Sequence, residues 1–471
     1  MCGVCGIVSL GEPIHGDRTR ESVDAMVRAL AHRGPDDSGV ASNSGGILGA
    51  TRLAIRGLHS GRQPIVDEAT GLIVVCNGEI DNHRDLRRWL ETRGRPVKLE
   101  TDIAVISGLY LELGEEFVER LVGVFAIAIW DTQKQRLLLA RDRAGERPLF
   151  FTTADGVIHF ATEMAALATD VTSNRTLAQS AVAEYLQYGS VVAPRTLFAE
   201  IEKVAPGEMV VIDSAGTRRR RYWRWGIGRV PKTAPSVEAF DQVFRRAVAR
   251  QSDIDVPYGV FLSGGIDSSL VAAVARSVRP GSPLTAYSLR FGEESYDEGE
   301  FAGQVAKQLG LSPVSVWVKP EVLPEMVAEL IDSVGEPLAD PAWIPTALLA
   351  RRAAQDVKLA LVGEGADELF GGYPTYLGAR VGEHYARLPG PVRALLRRAI
   401  EAWPVTDKKV TISALLKRFV QGPADDGVAR HLTWTSNISP ALLKRLGLEP
   451  IRSRVPGALP GDLLDAVQQI D

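Results

Sequence analysis

The rhythm of apolar and polar positions changes near the middle of the chain. Over residues 1–215, short alternating runs are separated by Gly, Asn and Asp. This pattern predicts strands over Leu72–Cys76, Phe125–Asp131, Arg136–Arg141 and Gly207–Asp213. Helical spacing is clear only over Val23–Leu30 and His83–Arg93. So many short strands in one stretch point to stacked antiparallel sheets. Beyond the polar, proline-bearing stretch Val230–Val237, strand and helix alternate. Tyr258–Leu262 precedes a helix from Ser268, Thr285–Phe291 precedes one from about Glu298, and the helical stretch Pro345–Gln355 precedes the strand Lys358–Val362. Such alternation predicts a parallel sheet with helices on both faces, whose ligands bind beyond the carboxyl ends of the strands. The expected organisation is a β-rich domain over 1–215, a linker over 216–237 and an α/β domain over 238–471.

Composition narrows the partners. With 45% hydrophobic and 24% charged residues among 471, the chain can bury a large core. A net charge of −4 lacks the basic excess that binding along a nucleic acid requires, so the arginine-rich TRRRRYWRWG from Thr217 reads as a solvated connecting strand. Apolar stretches such as Val122–Trp130 fall well short of the roughly 20 residues of a membrane helix. Small-molecule partners in the cytoplasm are expected. The three cysteines, Cys2, Cys5 and Cys76, are too few for a disulfide framework. Cys2 and Cys5 form C-x-x-C, but the alternation around them reads as a strand that sends the two thiols to opposite faces, and no second Cys or His pair follows at zinc spacing.

The segment GVFLSGGIDSSLVAAVARS sets an apolar strand, a Gly-rich turn and an amphipathic helix in direct succession. Gly264 and Gly265 let the backbone approach an anion, the helix N-terminus attracts it, and Ser263, Ser268 and Ser269 add hydroxyl donors. The Walker A lysine is missing, which suggests a site for the two phosphates that leave together as pyrophosphate. SGGIDSS resembles the signature of the N-type ATP pyrophosphatases. Asp267 lies in this loop, and Asp367 lies in LVGEGADELFGGY after a second strand. Two carboxylates at the carboxyl ends of strands suit a Mg²⁺ ion that bridges the phosphates of ATP.

At the other end of the chain, Cys2 becomes the first residue if Met1 is removed. Its own α-amino group, with a reference pKa of about 7.7–8.0, can then take the thiol proton without help from a histidine. Attack on an amide carbonyl needs an oxyanion hole, and the NGEI turn expected after Leu72–Cys76 offers the Asn77 side chain and the Gly78 N–H. Taken alone, that turn reads as a hairpin.

A family resemblance extends across nearly the whole chain. CGVCGIV, HRGPDDSG (32–39), TRLAI (51–55), GRQPI (61–65), NGEIDNHRDLR (77–87), ARDRAGERPLFF (140–151) and FATEMAAL (160–167) are similar to the class II glutamine amidotransferase domain of glutamine-hydrolysing asparagine synthetases. SGGIDSS, SLRF, YDE, GEPLADPAWIPT and GEGADELFGGY resemble the synthetase half of the same family. The resemblance implies an α+β N-terminal nucleophile (Ntn) αββα sandwich, followed by an α/β adenine-nucleotide α-hydrolase-like (PP-loop ATP pyrophosphatase) domain. It implies Cys2 as nucleophile, Asn77 with Gly78 as oxyanion hole, Arg52 on the glutamine carboxylate, and Glu79 with Asp102 on its ammonium group. In the second half it implies Ser263, Gly264, Gly265, Asp267 and Ser268 on pyrophosphate and Mg²⁺, Leu289 and Gly363 on the nucleotide, Asp367 on Mg²⁺, and Glu364 as the base. The implied substrates are glutamine, aspartate and ATP, and the implied products are asparagine, glutamate, AMP and pyrophosphate.

The sequence departs from the family at two points. Asp81 stands where the family's NGEIYN stretch has tyrosine. Family members also continue for well over a hundred residues past this point, through a K-V-D-R helix and a lysine, whereas this sequence ends at DLLDAVQQID, apparently inside a helix. The second domain is therefore expected to be incomplete at its C-terminus, with a separate chain or a homodimer as candidate partners. Two other readings stay open: a relative that amidates another carboxylate, and a glutaminase or interaction protein with an incomplete synthetase half.

Overall fold

The computed structural model describes residues 1–11, 17–154, 156–169, 175–225, 234–404, 411–424 and 426–449. In the first half lie β1 (Gly3–Ser9), β2 (Asp37–Asn43), β3 (Gly46–Arg52), β4 (Ile65–Asp67), β5 (Leu72–Ile80), β6 (Gly123–Asp131), β7 (Arg136–Arg141), β8 (Phe150–Ala154), β9 (Val157–Ala161), β10 (Glu202–Lys203), β11 (Glu208–Asp213) and β12 (Gly216–Arg221). They form two six-stranded sheets in the orders β10-β8-β9-β1-β3-β2 and β12-β11-β7-β6-β5-β4. The pairings within both are antiparallel.

Side-chain alternation sorts these strands into layers. Val4 and Val8 of β1 and Leu48 and Ala50 of β3 pack against Ile73 and Val75 of β5 and Ala126, Ala128 and Trp130 of β6, forming the core between the sheets. Leu72, Val74, Cys76 and Ile80 face the other way, under the helices His83–Glu91 and Val105–Leu113. Cys5 and Ile7 of the first sheet lie under the helix Asp17–Ala29. The result is the expected αββα sandwich, with Cys5 fully buried as a core residue.

Two expectations are corrected here. The turn expected at NGEI is strand: β5 runs on through Ile80, because β6 pairs with it from Leu72↔Asp131 to Ile80↔Gly123. Cross-strand pairing overrides the local turn preference of Asn-Gly. The arginine-rich stretch, expected to open the linker at residue 216, instead forms β12 along β11. Its charges are matched by neighbouring carboxylates: Arg218 by Glu115 and Arg220 by Glu119 of the helical turn Gly114–Arg120, and Arg219 by Glu208 and Glu202.

In the second half, β13 (Tyr258–Phe261), β14 (Thr285–Arg290), β15 (Ser312–Trp317) and β16 (Leu359–Leu361) form a parallel sheet in the order β15-β14-β13-β16. Sequence reasoning did not identify β15, which contains Pro313; it sits at the sheet edge, where proline is tolerated. One face carries Val260, Ala272, Ala302 and Leu361, and the other carries Tyr287 with Leu349 and Ala353, so helices cover both faces. Residues 230–233 of the connecting stretch and the terminal DLLDAVQQID lie outside the described residues. Among those described, no helix is long and apolar enough to cross a membrane.

Trp130 is fully buried between the sheets, and its Nε1 donates to the Ser44 carbonyl at 3.2 Å. Trp130→Ala should lower the unfolding free energy by about 3–5 kcal/mol in chemical denaturation. A loss under about 1 kcal/mol would contradict this packing.

Candidate active sites

Strand alternation assembles the first site. Cys2 extends β1 on the face of Val4, Arg52 ends β3 on the face of Leu48 and Ala50, and Asn77 and Glu79 continue the face of Ile73 and Val75 on β5. All four side chains therefore turn into the space between the sheets. The β1–β3 register, Gly3↔Thr51, sets Cys2 beside Arg52 at the end of the pair. Cys2 is 8% exposed, and its Sγ lies 4.0 Å from the Leu53 carbonyl oxygen.

The family-like motifs meet around this cysteine. Arg33 of HRGPDDSG donates from Nε to the Cys2 carbonyl at 3.0 Å and from Nη1 to Glu163 of FATEMAAL at 2.5 Å. Gln63 of GRQPI acts as a substitute strand for Cys76, accepting from its N–H at 2.7 Å and donating to its carbonyl at 2.9 Å. The Ile80 N–H donates to Asp102 Oδ2 at 2.7 Å on the same edge of β5. Alternation points the Gly78 N–H to that edge as well, between the two. Gly78 has φ +153°, and a Cβ there would lie 2.0 Å from the Val124 carbonyl oxygen, so only glycine fits.

Asn77 is the most telling residue. It is 0% exposed, yet neither its amide nitrogen nor its amide oxygen has a hydrogen-bond partner. Leaving such groups unpaired costs on the order of 1–3 kcal/mol each, a cost that a bound ligand removes. Glu79 Oε2 is likewise buried without a hydrogen bond. Burial, reinforced by Asp102, holds the Glu79 carboxyl well above its ordinary range, and Arg56 opposes the shift. Burial also raises the Cys2 thiol, against a Leu53 backbone hydrogen bond and the adjacent terminal amine, which lower it. That amine, on Met1, is lowered by burial to about 6. Arg52 donates from Nη2 to the carbonyls of Gly57 at 2.8 Å and Arg56 at 3.0 Å, which fixes the loop after β3.

The second site lies at the carboxyl end of β13. Its helix, Ile266–Val278, starts two residues earlier than expected, with Gly265 as N-cap. Ser263 and Ser268 hydroxyls lie 3.0 Å apart, the Ser263 hydroxyl accepts from the Gly265 N–H at 3.2 Å, and the buried Ser269 hydroxyl has no partner. Gly264 adopts φ +84° with Phe301 and Ala302 2.6 Å from where a Cβ would be. The loop after β16 adjoins: a Cβ on Gly363 would meet the Ser268 nitrogen at 2.8 Å. Leu289 is on the neighbouring strand β14, Asp267 is half-buried, Glu364 is exposed, and Asp367 turns back on Gly372.

These residues suit ATP. Backbone N–H groups, the helix N-terminus and an unpaired hydroxyl suit phosphate oxygens. Among the described residues no group of three or more His, Cys, Asp or Glu could hold a metal on its own. Asp267 and Asp367 could supply the one or two carboxylates that Mg²⁺ takes when phosphates complete its coordination.

Comparison with known proteins agrees with this division. Residues 1–223 match a glutamine amidotransferase domain and residues 239–440 match asparagine synthase. The glutamine-hydrolyzing asparagine synthetase 1 of Bacillus subtilis (strain 168) is 31% identical over 407 residues, covering 86% of this chain and 64% of its own. The glutamine-hydrolyzing asparagine synthetase 3 of the same organism is 30% identical over 406 residues, covering 81% and 64%. The chain thus spans just under two thirds of the length of each relative. The solved glutamine phosphoribosylpyrophosphate amidotransferase of B. subtilis overlaps 72% of this chain and 94% of its own at 13% identity and a TM-score of 0.37, too low to carry an argument.

Asn77→Ala removes a side chain that makes no hydrogen bond in the protein. If this site hydrolyses glutamine with Asn77 as an oxyanion donor, the substitution should lower kcat for glutamate release by about 10²–10³-fold, with far less effect on KM. Unchanged kcat would contradict the oxyanion role.

Proposed function

Since the chain belongs to the asparagine synthetase family, we propose that it is a glutamine-dependent, ATP-using ligase that converts a side-chain carboxylate, that of aspartate, into an amide. The observation that carries the first half is the buried, unpartnered Asn77 amide on the face shared with Cys2. Aspartate as acceptor is supported by the names of the relatives.

Removal of Met1 gives Cys2 a free amine. Burial lowers the amine that ends the chain at Met1, and burial of the Cys2 amine would likewise favour the neutral form that accepts the thiol proton. The thiolate attacks the side-chain carbonyl carbon of glutamine, and the developing oxyanion is received by the Asn77 amide and the Gly78 N–H. The protonated amine returns that proton to the leaving nitrogen, ammonia departs, and water releases glutamate from the thioester. Arg52 pairs with the substrate carboxylate, and Glu79 and Asp102 pair with its ammonium group, because a zwitterion needs a clamp of each sign.

In the second half, the acceptor carboxylate displaces pyrophosphate from the α-phosphorus of ATP, and the leaving group rests on Ser263, Gly264, Gly265, Ser268 and Ser269. Leu289 and Gly363 line the nucleotide. Mg²⁺, when held by Asp267 and Asp367, neutralises charge on the phosphates. Ammonia then attacks the acyl-adenylate, AMP departs and Glu364 takes the surplus proton.

Cys2→Ala should abolish glutamine-dependent asparagine formation and leave formation from ammonium intact; equal loss of both would refute the role of Cys2. AMP release that does not depend on aspartate, or that requires a different carboxylate, would refute aspartate as acceptor.

A further inference from the structure

One buried guanidinium joins the glutamine pocket to the second domain. Arg56, in the loop after β3, is 6% exposed. Its Nη1 lies 3.5 Å from Glu79 Oε2 and 3.7 Å from Asp102 Oδ2, and its Nη2 donates to Asp81 Oδ1 at 3.2 Å. In the opposite direction, Nε donates to the Asp253 carbonyl at 2.8 Å and Nη2 to the Arg250 carbonyl at 2.9 Å. Those carbonyls lie at the C-terminal end of the helix Val237–Gln251 and just past it, in the second domain.

We propose that Arg56 is a positioning residue for glutamine hydrolysis, holding Glu79 and Asp102 where the substrate ammonium binds and fastening that end of the pocket to the second domain. This deepens the glutaminase reading and rests on it.

The charges support the assignment. Three carboxylates, Glu79, Asp81 and Asp102, meet one guanidinium, and Glu79 Oε2 still lacks a hydrogen bond. Burial pushes the Glu79 and Asp81 carboxyls up, so one guanidinium does not suffice to hold all three groups charged, and an incoming α-ammonium favours their charged form. Burial disfavours the Arg56 charge, but Glu79, Asp102 and Asp81 together raise its pKa, so it stays charged. Asp81, which stands where the resembling family has tyrosine, adds a charge to this interior, and Arg56 provides its counter-ion. Arginine suits the place because its donors diverge from one plane toward both domains, whereas a lysine ammonium is a single point.

The test measures glutamate release from glutamine by the full chain, comparing wild type with Arg56→Met and Arg56→Lys. The KM for glutamine should rise about tenfold or more in Arg56→Met and by an intermediate factor in Arg56→Lys, with kcat falling less than KM rises. If Arg56→Met does not fold, Arg56→Lys alone decides. A KM within about twofold of wild type in a folded variant, or a loss confined to kcat, overturns the assignment. A wild-type chain that releases no glutamate refutes the glutaminase reading itself, and Arg56's role with it.

Discussion

The period of two along a β-strand is the constraint on which the first active site depends. Because alternate residues share a face, the positions that fill the inter-sheet core with Val4, Ala50 and Val75 continue, at the end of the sandwich, into Cys2, Arg52, Asn77 and Glu79. A one-residue slip of β5 against β6 would send Asn77 and Glu79 toward the helices and bring Cys76 and Gly78 inward. Interior placement of β1, between β9 and β3, secures the chain's first residues against such slippage. Val4 is anchored further through Thr162, whose hydroxyl accepts from the Val4 N–H at 2.8 Å and donates to its carbonyl at 3.1 Å. An N-terminus is ordinarily a frayed end; here it is among the best-held parts of the chain.

Buried charge connects this site to the rest of the molecule. Arg56 reaches carbonyls of the second domain, and beside it the Gly57 N–H donates to Asp255 Oδ2 at 2.8 Å while the Asp255 N–H donates to the Ile55 carbonyl at 2.9 Å. Lys203 pairs with Glu336 at 2.7 Å away from most of the solvent, and Lys358 pairs with Asp36 at 2.7 Å on the exposed rim, again across the two halves. Polar groups withdrawn from water at such a junction hold their geometry closely, because misplacing any of them leaves an unpaired partner.

Much of this was legible in the sequence. The alternating runs announced the stacked antiparallel sheets, and SGGIDSS announced a strand, a Gly-rich loop and a helix in succession, because both signals are local. What escaped depends on pairing between distant segments. Asn77 and Gly78 read as a turn by composition, and only the partner strand β6 makes them strand. The arginines of β12 read as a solvated link, and only Glu115, Glu119, Glu202 and Glu208 make them a sheet edge. Arg56 drew no notice in TRLAIRGLHS. Its signal was indirect: an aspartate at position 81, beside a site already rich in carboxylates, calls for a buried cation nearby.

The central claim is that Cys2 is an N-terminal nucleophile facing a waiting oxyanion hole. Its most direct test is mass spectrometry of the chain after treatment with a glutamine analogue bearing an electrophilic diazoketone. The account predicts one adduct per chain, on a Cys2 that has lost Met1, suppressed by excess glutamine. An adduct on Cys5 or Cys76, labelling of a chain that retains Met1, or labelling indifferent to glutamine would contradict it.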